Sequence, residues 1–336
     1  MDISQIRATS KIEVRKARST FRKIGLFFFI YGALSLEMQL FFFAFLQTFF
    51  PGVLATTDGI FVFIIIIPMY VISFPAAFLL LNTIPATKPV SASLRMGNFI
   101  RFLFMCYPIV FVGGIIGQLF QFLATFFGAS LHIDLNLSAT GLTFNDLLTD
   151  SSSSLNILVV CIMAPIFEEL LFRKFLIDRI KKYGDKVAII TSGLFFGLFH
   201  GNFSQFFFAT MLGMLFAYIY CKTGRIRYTI ALHMIINTTS IVVSKILNKY
   251  LTLISLDKPS FSDEYLFLTF VVLYSIIGLA VMITGIVFLI KYLRRFIYDK
   301  GTTPIPRGKA FYVVWLNIGT ILFFLICVYL FASSVF

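Results

Sequence analysis

The sequence predicts an all-α polytopic membrane protein of about nine transmembrane helices, and three observations carry that expectation. Of its 336 residues, 59% are hydrophobic and 13% charged, with a mean hydropathy of +0.94; a soluble globular domain carries about 25% charge. Apolar runs approaching or exceeding the roughly 20 helical residues needed to cross a bilayer core recur along the whole chain. Lys and Arg fall between those runs in a strictly alternating pattern.

The elements follow in order. The opening "MDISQIRATSKIEVRKARSTFRK" leads into a long apolar run without a small-residue cleavage site, so an uncleaved first span is expected in place of a signal peptide, and no appended soluble domain. The apolar runs lie at 25–49, 60–82, 99–127, 154–177, 187–200, 203–221, 228–248, 265–292 and 310–335. They divide the chain into a basic cytosolic tail (1–24), N-terminal spans with an outer loop (25–153), a core (154–248) and C-terminal spans (249–336). Five regions, the tail, 83–101, 173–186, 222–227 and 291–309, hold 25 of the 28 Lys and Arg residues. Cytoplasmic loops hold the excess, so the N-terminus is expected in the cytosol and the C-terminus outside, in a multi-pass protein of the cell membrane. The end of the outer loop, "TDSSSSLN", reads as a helix start with serines able to cap the next span.

The formal charge of +13 does not indicate nucleic-acid binding, because the basic residues sit in short clusters between apolar runs. Cys106, Cys161, Cys221 and Cys327 lie in or at the ends of apolar runs without CxxC spacing and read as reduced core residues. No internal repeat is visible, and the 44 phenylalanines read as lipid-facing and packing surface.

The chemistry concentrates in the core. "MAPIFEELLFRKF" places Glu168, Glu169 and Arg173 in an apolar run. Ionisable side chains inside a bilayer cost several kcal/mol unless paired or hydrated, and so mark a functional site. An ion-paired packing device is the plainer reading. Glu169 and Arg173, at i and i+4, satisfy it, but Glu168 lies about 100° round the helix and stays unexplained. Pro165 removes a backbone hydrogen bond three residues earlier and bends the helix. Two of the three histidines also sit in apolar runs. The run ending at His200 has 14 residues, about 21 Å of helix against a core of about 30 Å, so His200 is expected to end its helix inside the membrane with "GNFSQ" as a recessed turn. His233 and Asn237, at i and i+4, point at one place. Glu37, in "LSLEMQLFFF" of the first span, is a second intramembrane acid, able to pair with a buried polar group or line a cavity.

These residues resemble the CAAX protease and bacteriocin-processing family of intramembrane endopeptidases, also called the Abi or CPBP family. Its motifs EExxxR, FxxxH and HxxxN occur here in the family's order: "EELLFR" with Glu168, Glu169 and Arg173, "FGLFH" with Phe196 and His200, and "HMIIN" with His233 and Asn237. EExxxR is a rare coincidence in such a chain, whereas FxxxH is common because phenylalanine is. The resemblance covers residues 154 to 248. It implies a helical protease core in which Glu168 is the general base sharing the attacking water with His200, while His233 and Asn237 donate to the oxyanion. Arg173 would hold Glu169, and Phe196 would support His200 by packing.

No cofactor is expected on this mechanism. The alternative is a zinc site with Glu168, His200 and His233 as ligands, which ranks second because no HExxH pair presents two imidazoles from one helical turn. The expected partners are the lipid bilayer and a membrane-associated peptide or protein substrate. Eukaryotic family members trim prenylated tails, but no prenyl pocket is identifiable here. A rival class is a non-catalytic bacteriocin-immunity or sensor-kinase regulatory protein of the same fold. A proton-coupled transporter is disfavoured by the absence of an inverted repeat.

Overall fold

A computed structural model describes residues 3–54, 56, 61–130, 154–254 and 261–335. Among the described residues every regular element is helical. Nine principal helices follow the nine apolar runs: α1 (Ile3–Phe49), α2 (61–81), α3 (Met96–Ser130), α4 (154–180), α5 (Asp185–Phe199), α6 (Phe203–Thr223), α7 (Arg227–Ile254), α8 (Phe261–Leu293) and α9 (Ile318–Ser333). The serines at 151–153 read as a helix cap lie outside the described residues.

Six of the nine, α1, α2, α3, α6, α7 and α8, are long and apolar enough to cross a bilayer. The other three depart from a simple span for identifiable reasons. Helix α4 carries the glutamates and arginine, and α5 and α9 have only 15 and 16 residues. Helix α8 packs on α3 through the buried Gly285 and exposes Leu268, Ile276, Ile283 and Ile290, the surface of a helix that faces lipid. The protein is a multi-pass helical membrane protein.

The basic segment before residue 25 is part of the bundle: α1 runs unbroken for 47 residues. Ala17, Phe21 and Ile24 are buried at helical spacing, and Arg18 donates to the carbonyl of Leu316 at 2.9 Å just before α9. The Tyr183 hydroxyl meets Thr20 Oγ1 at 3.1 Å. The other basic regions converge on the same end. Thr87 N–H donates to Asp178 O at 2.6 Å and Ala92 N–H to Thr223 O at 2.9 Å, while Asp185 N–H donates to Asp299 O at 2.9 Å. The alternating Lys/Arg count thus gathers at one pole of the bundle.

That pole is pinned by Asp185, whose fully buried carboxylate lies 2.7 Å from Lys181 Nζ and 2.6 Å from Lys222 Nζ. It also accepts the backbone N–H of Asp299 at 2.8 Å. Burial alone would push this carboxyl up, but the Asp299 N–H and the two ammonium groups outweigh it and hold the group below the ordinary carboxylate value.

Candidate active site

Helix α4 is wound in two registers, and this sets its side chains. Val159–Met163 and Leu170–Phe175 are π-helical, flanking an α-helical piece from Ala164 to Glu169 that opens on Pro165. The proline cannot donate to a carbonyl behind it, which frees the preceding turn to widen. The predicted bend at Pro165 appears as this change of register. Wide turns of this kind cluster at functional sites because they redirect side chains off the regular helical stripe.

The redirected residues are the glutamates. Glu169 is fully buried, with Oε2 3.0 Å from Arg173 Nε and Oε1 3.1 Å from His233 Nδ1. Glu168, one residue away, is 28% exposed and has Oε2 3.7 Å from His233 Nε2. One imidazole on α7 therefore faces both carboxylates, one through each ring nitrogen. Although close to Glu169, the Arg173 Nε is off the line of a hydrogen bond, and its terminal nitrogens have no acceptor among the described residues. The guanidinium instead lies 4.5 Å over the ring of Phe196 and 5.5 Å over Phe216. Buried, it is held by charge and by aromatic faces.

Phe196 thus does more than pack beside His200. Its ring also stands edge-on to His200 at 4.8 Å and to His233 at 5.8 Å, so it touches three residues of the motifs at once. His200 caps α5, with Nδ1 2.8 Å from the Phe196 carbonyl. A carbonyl only accepts, so Nδ1 carries the proton and Nε2 of the neutral ring keeps a free lone pair. His200 lies within electrostatic range of Glu168, His233 and Arg173.

The turn after His200 forms as the sequence suggests. Gly201 takes a left-handed conformation at φ 66°. Asn202 caps α6 by accepting from Gln205 N–H at 2.9 Å, and its amide donates to His200 O at 2.8 Å. The turn is brought in by close contact between α5 and α6. "GLFFG" leaves Gly193 and Gly197 without side chains one turn apart, and a Cβ at Gly197 would meet the Thr210 hydroxyl and stand 2.8 Å from Phe206 O. Small residues at this spacing let backbones approach in a membrane.

Asn237 points elsewhere. Its amide donates to Val160 O at 2.9 Å, in the first π segment of α4, where the wide turn leaves a carbonyl free. Asn237 therefore ties α7 to α4. Its second N–H remains available as a donor.

Glu37 is brought to none of these groups; it lies on an exposed face of α1 and makes no ion pair among the described residues. Three residues near the site went unread in the sequence. Thr229, one turn before His233, is fully buried on the same face of α7, and its hydroxyl donates to Ile226 O at 3.0 Å; its i−4 spacing from His233 was the available signal. Tyr31 of α1 and Tyr70 of α2 fall within electrostatic range of Glu168. Tyr31 stacks on Phe199 at 5.2 Å and Tyr70 lies against Phe167 at 4.6 Å. No group of three or more His, Cys, Asp or Glu side chains among the described residues is arranged to hold a metal ion. All four cysteines are buried and unpaired.

A buried carboxylate–arginine pair, a partly exposed carboxylate beside it and two imidazoles from separate helices gather around Phe196 and α4. Residues 150–239, which span all of these motifs, match the family model of the type II CAAX prenyl endopeptidase Rce1-like proteins. The resemblance to that family is shown over this segment. The chain is also 32% identical over 90 residues to a protein of Bacillus subtilis (strain 168) named "Putative membrane peptidase YdiL". That similarity covers 26% of this chain and spans 37% of the relative's length. No solved structure matches. The Rce1-like segment contains α4 to the middle of α7; Tyr31 and Tyr70 come from helices outside it.

Proposed function

We propose that the protein is an intramembrane endopeptidase that hydrolyses a peptide bond in a membrane-associated peptide or protein, using water activated by Glu168 and His200. The observation that supports this most is the unequal placement of the two glutamates. Glu169 is sealed between Arg173 and His233, whereas Glu168 keeps 28% of its side chain open. Only the open carboxylate can take a proton from a water.

In this reading Glu168 accepts the proton as the water oxygen attacks the scissile carbonyl, with the free Nε2 of His200 holding the water's second hydrogen. The tetrahedral oxyanion accepts hydrogen bonds from His233 and the spare N–H of Asn237. In the donating state His233 carries protons on both nitrogens, Nδ1–H being held by Glu169. Collapse of the intermediate breaks the C–N bond, and the proton held by Glu168 passes to the leaving amine. Arg173 and Phe196 keep Glu169 and both imidazoles in place. No resident metal is needed, since each proton transfer has a side chain to serve it. The basic pole and the N-terminus face the cytosol, which places Glu168 on the α4 stretch between the outer loop and that pole.

The test compares peptides that accumulate in membranes carrying the wild-type protein with those carrying Glu168→Gln. Fragments of one or a few membrane proteins should disappear in the variant while their precursors build up. Identical peptide profiles, with both proteins folded and equally abundant, would remove the protease reading. Labelling of a cysteine placed in the 178–186 loop by a membrane-impermeant reagent from outside intact cells would reverse the orientation.

A further inference from the structure

At the basic pole, a cleft of about 160 Å³ opens between the start of α3, α6 and the end of α8. Arg101 and Arg295 line it together with Asn98, Tyr218, Tyr292 and Phe296, and no acid does. Neither arginine makes an ion pair among the described residues. The acids nearest Lys222 on this pole are already committed, Asp185 to Lys181 and Lys222 and Asp299 to Lys181.

One of the two arginines is also held in place. Arg101 lies 5.3 Å over the ring of Tyr292 and donates to Asn98 Oδ1 at 2.9 Å, which fixes the plane of its guanidinium and leaves other N–H groups free. The opposite wall is stiff, with Tyr218 and Phe296 stacked at 3.8 Å between centroids. Lys222 lies 5.9 Å from the Tyr218 ring but is paired with Asp185, so the charge in the cleft is that of the two arginines. Two guanidinium forks around a small concave space suit the oxygens of a phosphate group.

We infer that this cleft is a phosphate-binding site that holds the headgroup phosphodiester of an anionic phospholipid. The lipid is favoured over a free phosphate by what adjoins the cleft. It sits where α3 enters and α8 leaves the apolar zone, and the neighbouring surfaces of those helices are bare hydrocarbon: Ile100 is 45% exposed, Ile290 61% and Leu293 54%. Acyl chains can run along these side chains while the phosphate meets the arginines, the arrangement expected of headgroup sites between helices on the basic side of a membrane protein. Glu168 and the histidines take no part.

The full chain, purified in a neutral detergent and stripped of lipid, is titrated with dioleoyl phosphatidylglycerol, dioleoyl phosphatidylcholine or inorganic phosphate, and bound lipid is counted by native mass spectrometry beside the melting temperature. Phosphatidylglycerol should bind at least tenfold more tightly than phosphatidylcholine and raise the melting temperature. Arg101→Gln with Arg295→Gln should abolish that preference, whereas Lys291→Gln with Arg307→Gln, an equal charge loss outside the cleft, should leave it intact. Inorganic phosphate that competes as well as phosphatidylglycerol would keep the site and make its ligand soluble. A wild-type protein without preference overturns the inference whatever the variants do. Equal loss in both double variants also overturns it, by reducing the effect to diffuse surface charge.

Discussion

Replacing Glu169 by glutamine keeps its volume and removes its charge, leaving Arg173 as a cation at zero exposure without a counter-ion. The guanidinium has no hydrogen-bond acceptor among the described residues, and beside the Glu169 charge it meets only the faces of Phe196 and Phe216. Breaking a buried ion pair by removing one partner costs about 3–5 kcal/mol, because the surviving charge stays desolvated. Melting temperature moves by roughly 2–4 °C per kcal/mol in chains of about 150–250 residues and by less in longer ones, so the loss should be on the order of 5–10 °C. The amide also turns an N–H group toward either Arg173 or His233, both donors at the facing atoms, so the cost belongs at the upper end. The assay is melting in detergent beside membrane accumulation, for Glu169→Gln, for Arg173→Met and for Glu169→Leu with Arg173→Met. The double variant should recover part of the loss, since an apolar pair no longer buries a lone charge. A Glu169→Gln protein that melts with the wild type would refute the assignment of Glu169 to holding the site, and equal losses in single and double variants would show that the pair is not what Arg173 depends on.

Glu168→Gln should lower turnover at least about a hundredfold with little change in melting temperature, because this carboxylate is partly exposed and only its proton acceptance is lost; near-normal turnover would sink its role as base. Gly197→Ala should cost about 1–3 kcal/mol by forcing α5 off Thr210 and Phe206, and lower activity by shifting His200, with partial recovery in Gly197→Ala/Thr210→Ala. Because the Asp185 carboxyl is held below its ordinary value, its contribution to stability is complete above about pH 4 and is lost as pH falls through the depressed value. Melting followed from neutral pH downward should steepen in that acid range, and Asp185→Asn should flatten the curve; parallel curves would count against the carboxylate as the pin of the basic pole. Hydrolysis should survive a strong chelator, and zinc-specific recovery of a chelated enzyme would replace the glutamate–histidine mechanism.

The helical architecture was readable because hydrocarbon imposes a length and composition on anything that crosses it, and each of the nine apolar runs carries a principal helix, although the last run, 310–335, is broken between Val314 and Ile318, where Asn317 caps a new helix. The start of α1 was not read as packed structure. Its Lys and Arg residues dominate local hydropathy, yet Ala17, Phe21 and Ile24 form a buried stripe at spacings of four and three residues. That stripe was visible to a periodicity count, though not to an average. The "GLFFG" contact was equally open to inspection. The neighbourhood of Glu168 was not: Tyr70 of α2 packs on the adjoining Phe167 from more than ninety residues away, and no local spacing records such a meeting.

The division of labour between adjacent glutamates marks where the sequence runs out. An i,i+4 rule pairs Glu169 with Arg173 and leaves Glu168 over, but it does not say that the leftover carboxylate faces open space. That follows from the change of helical register around Pro165, which turns Glu169 into the seam between α4 and α7 while Glu168 sits at its edge. A π turn is rare and comparatively weak on its own. It persists here with Asn237 closing the carbonyl at Val160, and with Arg173 in the second π segment neutralising Glu169. The EExxxR and HxxxN motifs thus belong to one construction: α7 supplies both the imidazole between the carboxylates and the amide that keeps α4 unwound enough to separate them.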